Sequence, residues 1–222
     1  VVTGNLKYHV NISIEDKSNR SLFNELKASA RPIVIAASTR DGEEEKLLVT
    51  IKAVLRKFPK VLFIVVPRHP ERFDKVFSDL KKSRVICARR SSIANLGDNV
   101  QVLIGDSLGE MNSYYAVSHI AFVGGSLVNT GCHNVLEPAA MSLPILVGPS
   151  QYNFAQICER LEKAGGLLTV RDESELAEKI INLLENKSKR MKMGSIAKEE
   201  ILANQEALPM LVKMIEDVLF SD

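Results

Sequence analysis

The sequence predicts an α/β domain of the doubly wound kind, built on a mainly parallel sheet, and three observations carry that prediction. Short continuous apolar runs recur along the chain, among them residues 33–37, 61–66, 119–123 and 167–170, as strands buried on both faces of a sheet read. Stretches with apolar residues at helical spacing alternate with these runs, the pattern of helices covering a sheet on both sides. The runs end in clusters of Gly, Pro, Ser and charged residues, so the groups able to meet a ligand gather at strand carboxyl ends, where open α/β sheets place their crevices.

A chain of 222 residues with 45% apolar and 25% charged content can bury a proper core, and it reads as one soluble globular domain. The 29 basic and 27 acidic residues leave a net charge of +2, too small to point to nucleic acid or to strong membrane attraction. Cys87, Cys132 and Cys158 lack metal-ligand spacing and fit reduced thiols. No apolar run approaches the ~18 residues of a membrane span, and no leader pattern is present. The start at Val1 rather than Met suggests a fragment.

Residues 1–30 comprise a turn-bearing segment, VVTGNLKYHV, and a polar helical stretch over 17–28. The first strand, 33–37, runs into Ser38-Thr39-Arg40-Asp41-Gly42-Glu43-Glu44, where a Ser/Thr/Asp cluster before acidic residues starts a helix carrying Leu47, Leu48, Ile51, Val54 and Leu55 at helical spacing. Ser38 and Thr39 either cap that helix or face a bound molecule. The second strand, 61–66, ends in Pro67-Arg68-His69-Pro70, and prolines on both sides of Arg68-His69 stiffen the main chain. A guanidinium so positioned suits a phosphate, although a solvated loop arginine is the ordinary alternative.

After a helix through about Leu80 come a short strand, 84–88, a polar stretch and a fourth strand, 100–104. That strand leads into Gly105-Asp106-Ser107-Leu108-Gly109-Glu110-Met111, in which Gly109 lets a pyrimidine ring approach the backbone and Leu108 supplies an apolar wall. A helix cap made by Asp106 or Ser107 explains the same residues. The fifth strand, 119–123, opens the segment FVGGSLVNTGCHNVLEPAAMSLPILVGP, which reads as strand, loop, helix from near His133-Asn134, and a further apolar run at 145–147. Gly124 and Gly125 allow close approach of a ligand to the main chain, the helix N-terminus suits a phosphate, and Glu137 on the first turn suits a ribose diol. The bland reading is an ordinary β-α-β unit in which the Gly pair serves a tight turn and Glu137 complements the helix dipole. His133 reads as a capping or core residue rather than an acid.

Beyond residue 150 a helix is stopped by Gly165-Gly166, and 167–170 counts as the sixth strand. Asp172 caps a helix with Leu176, Ile180, Leu183 and Leu184 on one face. The remainder reads as helical, punctuated by Gly194 and Pro209, with Leu211, Met214, Ile215, Val218 and Leu219 forming an apolar stripe.

The strings PRHPERF, GDSLGEM and GGSLVNTGCHNVLEPA followed by PILVGP, with TGNLK near the start, resemble the bacterial 3-deoxy-D-manno-octulosonic acid (Kdo) transferases of lipopolysaccharide synthesis over nearly the whole chain. The resemblance implies the Rossmann-like, C-terminal donor half of a two-domain GT-B glycosyltransferase, with residues 1–30 a linker and docking segment and 31–222 the CMP-sugar-binding domain. It implies transfer of Kdo from CMP-Kdo to a lipid A precursor (lipid IVA), at the cytoplasmic face of the bacterial inner membrane, with no cofactor, no metal and no nucleic acid. Carried residue by residue, it puts Pro67, Arg68, Leu108, Gly109, Glu110, Asn134, Val135, Leu136 and Glu137 around the nucleotide. The general base, the acceptor surface and the membrane contact are expected in an N-terminal domain, so this piece alone is expected to be inactive. Two departures stand out: the family usually has His where Arg40 stands and a second Gly where Cys132 stands, whose side chain is expected to narrow the loop. A GT-B half using a UDP-sugar, and a non-catalytic nucleotide-binding module, remain as alternatives.

Overall fold

The computed structural model describes residues 20–93 and 95–204. The TGNLK segment and the apolar stripe over 211–219 lie outside the described residues, as do the first 19 residues of the proposed linker.

In chain order the elements are α1 (Arg20–Ala28), β1 (Ile33–Thr39), α2 (Glu43–Lys57), β2 (Leu62–Pro67), α3 (Phe73–Lys82), β3 (Cys87–Arg89), β4 (Val102–Ile104), α4 (Met111–Val117), β5 (Ile120–Val123), α5 (Leu136–Ala140), β6 (Ile145–Val147), α6 (Ala155–Ala164), β7 (Leu167–Thr169), α7 (Glu173–Glu185) and α8 (Lys187–Leu202). The strands form one sheet in the order β3-β4-β2-β1-β5-β6-β7, and every pairing is parallel. Seven strands rather than six take part, because the apolar run at 145–147 occupies its own place between β5 and β7.

Alternation along β1 shows why both faces are covered. Val34 and Ala36 pack with Phe63, Val65, Leu47, Ile51 and Ile180 on one side. Ile33, Ile35 and Ala37 pack with Leu62, Ile64, Leu26 and Tyr114 on the other. Successive strand residues point to opposite faces, so an unbroken apolar run serves two helical layers at once. A third cluster joins β6 to α5, α6 and α8 through Leu136, Ile145, Val147, Leu161 and Ala197.

Helix ends test the local reading. Asp172 caps α7 by accepting hydrogen bonds from the N–H groups of Ser174 and Glu175, and Gly165, at φ 92°, terminates α6. The Ser/Thr/Asp cluster does not cap α2: the cap position is Gly42, at φ 77°, with no side-chain acceptor. Gly194 does not interrupt the chain either. α8 runs straight through it, and its missing side chain lets the helix rest against the Ser142 carbonyl. Among the described residues no helix is long and apolar enough to cross a membrane.

Strand order reverses at β1, which leads to β2 on one side and has β5 on the other. That reversal opens a crevice at the carboxyl ends of β1, β2, β4 and β5.

Candidate functional site

A cleft of about 320 Å³ occupies this crevice, lined by Ser38 after β1, Pro67 and Arg68 after β2, Ser107, Leu108 and Gly109 after β4, and His133, Asn134 and Glu137 after β5. Met111 and Tyr115, one turn apart on α4, and Phe73 at the start of α3 complete the wall. Of the residues singled out from the sequence, Pro67, Arg68, Leu108, Gly109, Asn134 and Glu137 meet here. They come from three separate strand ends.

Three do not line the cleft. Val135 and Leu136 are core side chains, and the Leu136 N–H donates to Asn134 Oδ1 at 3.0 Å. Glu110 is turned into the protein, where it pairs with the buried Arg90 (Nη2–Oε1 3.0 Å, Nε–Oε2 3.1 Å), receives a hydrogen bond from Tyr114 and is bonded by Ser107. Its role is to shape the β4–α4 loop, leaving Leu108, 79% exposed, and Gly109 at the cleft. Gly109 has φ 81° and open space where a side chain would stand, so a flat ring can approach its backbone.

The Gly124-Gly125 pair works differently from expectation. A Cβ on Gly124 would lie 2.6 Å from the Ser38 carbonyl oxygen and 2.7 Å from the Thr39 Cα. Gly124 therefore lets the β1 and β5 loops touch each other, and Gly125, at φ 78°, packs against the Gly131 carbonyl of its own loop. Ser38 itself takes φ 56° where the β1–β2 register shifts between Ala37 and Thr39.

The contact between the two loops is held by Glu43, a residue read in the sequence only as part of an acidic helix start. Its carboxylate is fully buried and accepts from the N–H groups of Gly125 (2.8 Å), Ser126 (3.1 Å), Leu127 (2.9 Å) and Arg40 (3.1 Å). Burial pushes this carboxyl above its usual range, while the converging N–H groups pull it back. Nothing local distinguishes Glu43 from Glu44 or Glu45; all of its partners but Arg40 lie some eighty residues along the chain.

The helix expected from His133 begins only at Leu136 and spans five residues, so its dipole is small. Asn134 organises its start, accepting from Leu136 N–H and donating through Nδ2 to Glu137 Oε1 at 3.0 Å. Burial raises the Glu137 carboxyl, with Asn134 and the charge of Arg68 opposing the shift. Burial also lifts the phenol of Tyr115 beneath it. His133 is pushed down to about 4, first by burial and then by the charges of Arg40 and Arg68. A neutral imidazole accepts a bond from Arg40 Nε at its Nε2, 3.0 Å away, so its proton sits on Nδ1. Cys132 does not line the cleft; its side chain is buried against α6, with Sγ 3.7 Å from that of Cys158.

Comparison with known proteins places the chain in a family. Residues 22–200 match the family of glycosyl transferases group 1. The 3-deoxy-D-manno-octulosonic acid transferase of Haemophilus influenzae is 40% identical over 219 residues, covering 98% of this chain and 51% of that protein. The enzyme of the same name from Bordetella pertussis is 33% identical, with the same coverage of each. The chain thus spans about half the length of these curated relatives. Among solved structures, the C-terminal CMP-Kdo binding domain of WaaA from Acinetobacter baumannii superposes with a TM-score of 0.78 at 33% identity, over 83% of this chain and 96% of that one.

Proposed function

Because the chain belongs to the group 1 glycosyltransferases and, within them, to the Kdo transferases, we propose that it is the donor-binding half of an enzyme that transfers Kdo from CMP-Kdo to a lipid A precursor. One observation carries the reading: a single cleft gathers an arginine, an open glycine backbone beside an apolar wall, and an Asn-oriented carboxylate from three different strand ends. Those are the groups a nucleoside monophosphate requires.

In this reading the cytosine lies over Gly109 against Leu108, the ribose hydroxyls donate to Glu137, and the phosphate meets Arg68. Arg68 is exposed, with its N–H bonded to the Thr39 carbonyl at 3.0 Å and no carboxylate partner among the described residues, so its charge is available to an anion. As the bond to the sugar breaks, negative charge grows on the departing CMP, and the Arg68 guanidinium lining the cleft stabilises it. No metal or other cofactor is assigned a part. Glu110, Val135 and Leu136 support the pocket from behind rather than through their side chains.

The base that deprotonates the acceptor hydroxyl, the acceptor surface and the contact with the cytoplasmic face of the membrane belong to the remainder of the enzyme, so this chain binds donor and transfers nothing by itself. Calorimetric titration with CMP and UDP tests the reading. CMP binding in preference to UDP, lost in Arg68→Ala and Glu137→Ala, is the expected result; preference for UDP assigns the site to another sugar nucleotide and overturns it.

A further inference from the structure

We propose that Arg40 holds the carboxylate of the donor's sugar and so selects a CMP-linked sugar acid over CMP alone; the inference rests on the CMP-Kdo reading above and deepens it. The first ground is the pairing of arginines along this edge of the sheet. Arg72 is engaged by Glu44 and Asp41, Arg89 by Asp106 and Asp74, and Arg90 by Glu110. Arg40 and Arg68 have no carboxylate partner among the described residues.

Arg40 is nevertheless held in place. Its N–H is fixed to Glu43 Oε2 at 3.1 Å, its Nε donates to His133 Nε2 at 3.0 Å, and its Nη1 lies 2.5 Å from His69 Nε2. Arginine can only donate, so the ring nitrogens it meets accept from it, and an imidazole supplies no countercharge. The result is a guanidinium held at two of its nitrogens on an anchored main chain, with no carboxylate partner among the described residues. A half-buried cation in that condition is matched by an anion that arrives with the ligand.

The donor's chemistry supplies one. A CMP-linked 2-ulosonic acid carries two separate negative groups, the phosphodiester and the sugar carboxylate, on either side of the bond that breaks. One guanidinium without a carboxylate partner, Arg68, lines the cleft, and a second, Arg40, stands next to it, bonded to the lining residue His133. Arg68 lines the cleft together with Glu137 and His133, whereas Arg40 is bonded to His133 and to His69, the residue that follows Arg68. With Arg68 committed to the phosphate, Arg40 is the cation left to meet the sugar carboxylate. A planar fork of donors also fits a carboxylate in a way an ammonium does not.

The test is calorimetry on this chain with CMP and with CMP-Kdo, for the wild type, Arg40→Met and Arg40→Lys, with melting curves to confirm that each variant is folded. The wild type is expected to bind CMP-Kdo more tightly than CMP. Arg40→Met is expected to lose about tenfold or more in affinity for CMP-Kdo while its affinity for CMP stays within about twofold, and Arg40→Lys to fall between. Equal binding of CMP and CMP-Kdo by the wild type, or equal losses for both ligands in Arg40→Met, overturns the role of Arg40 and leaves the nucleotide site standing. Failure of the wild type to bind CMP at all overturns both.

Discussion

The β5–α5 loop and the β4–α4 loop both wall the cleft, and each is tied down by a buried glutamate. Glu43 serves the first through four main-chain N–H groups drawn from two loops. Glu110 serves the second through side chains, those of Arg90, Ser107 and Tyr114. The difference lies in what evolution or an experimenter can substitute. Side-chain partners can be replaced together with the glutamate, whereas main-chain N–H groups stay and must find another acceptor.

Removing Glu43 is therefore expected to be the most damaging change. Glu43→Ala strands several buried donors at once and should lower stability by roughly 4 kcal/mol, read as a shift in the urea midpoint, and should weaken CMP binding as the two loops part. Glu110→Ala leaves Arg90 buried without its charge partner and should cost about 3 kcal/mol. The double variant Arg90→Met with Glu110→Leu sharpens the contrast: it should recover to within about 1.5 kcal/mol of the wild type, since an apolar pair of similar volume needs no partner. A double variant as unstable as Glu110→Ala would show that the two glutamates are not different in kind.

The smallest expected effect concerns pH. His133 titrates at about 4 in the folded protein against an ordinary 6.5. Between those values the unfolded chain binds a proton that the native chain refuses, so stability falls as pH drops through this window and is indifferent to His133 above it. Imidazole signals in an NMR titration should place His133 near the lower value. In Arg40→Met, which removes one of the charges acting on it, the midpoint should move upward; an unmoved midpoint would separate Arg40 from the imidazole.

Much of this architecture was legible in the order of residues. The apolar runs became strands, the helical stretches between them became helices, and Asp172 capped its helix, because each depends on neighbours a few positions away. The motif-bearing strand ends likewise fell on one crevice, as a parallel doubly wound sheet requires. Other features escaped, the Glu43 clamp among them. Gly124 was read as room for a ligand, although the β1 loop fills that space. Glu110 was placed beside the nucleotide, although burial against Arg90 satisfies it better. Tyr115 and Phe73 carried no local mark of facing a cleft.

By itself, then, the sequence determined the elements, their alternation and the chemical types gathered at the strand ends, since these follow from periodicity and short-range sterics. Only the tertiary structure decided which charges find partners. Glu43 became a buried clamp, Arg90 a neutralised one, and Arg40 and Arg68 cations without a protein carboxylate, and each outcome rests on contacts between segments distant in the chain. The energy of a charge depends on what surrounds it in space, and spacing along the chain does not carry that information.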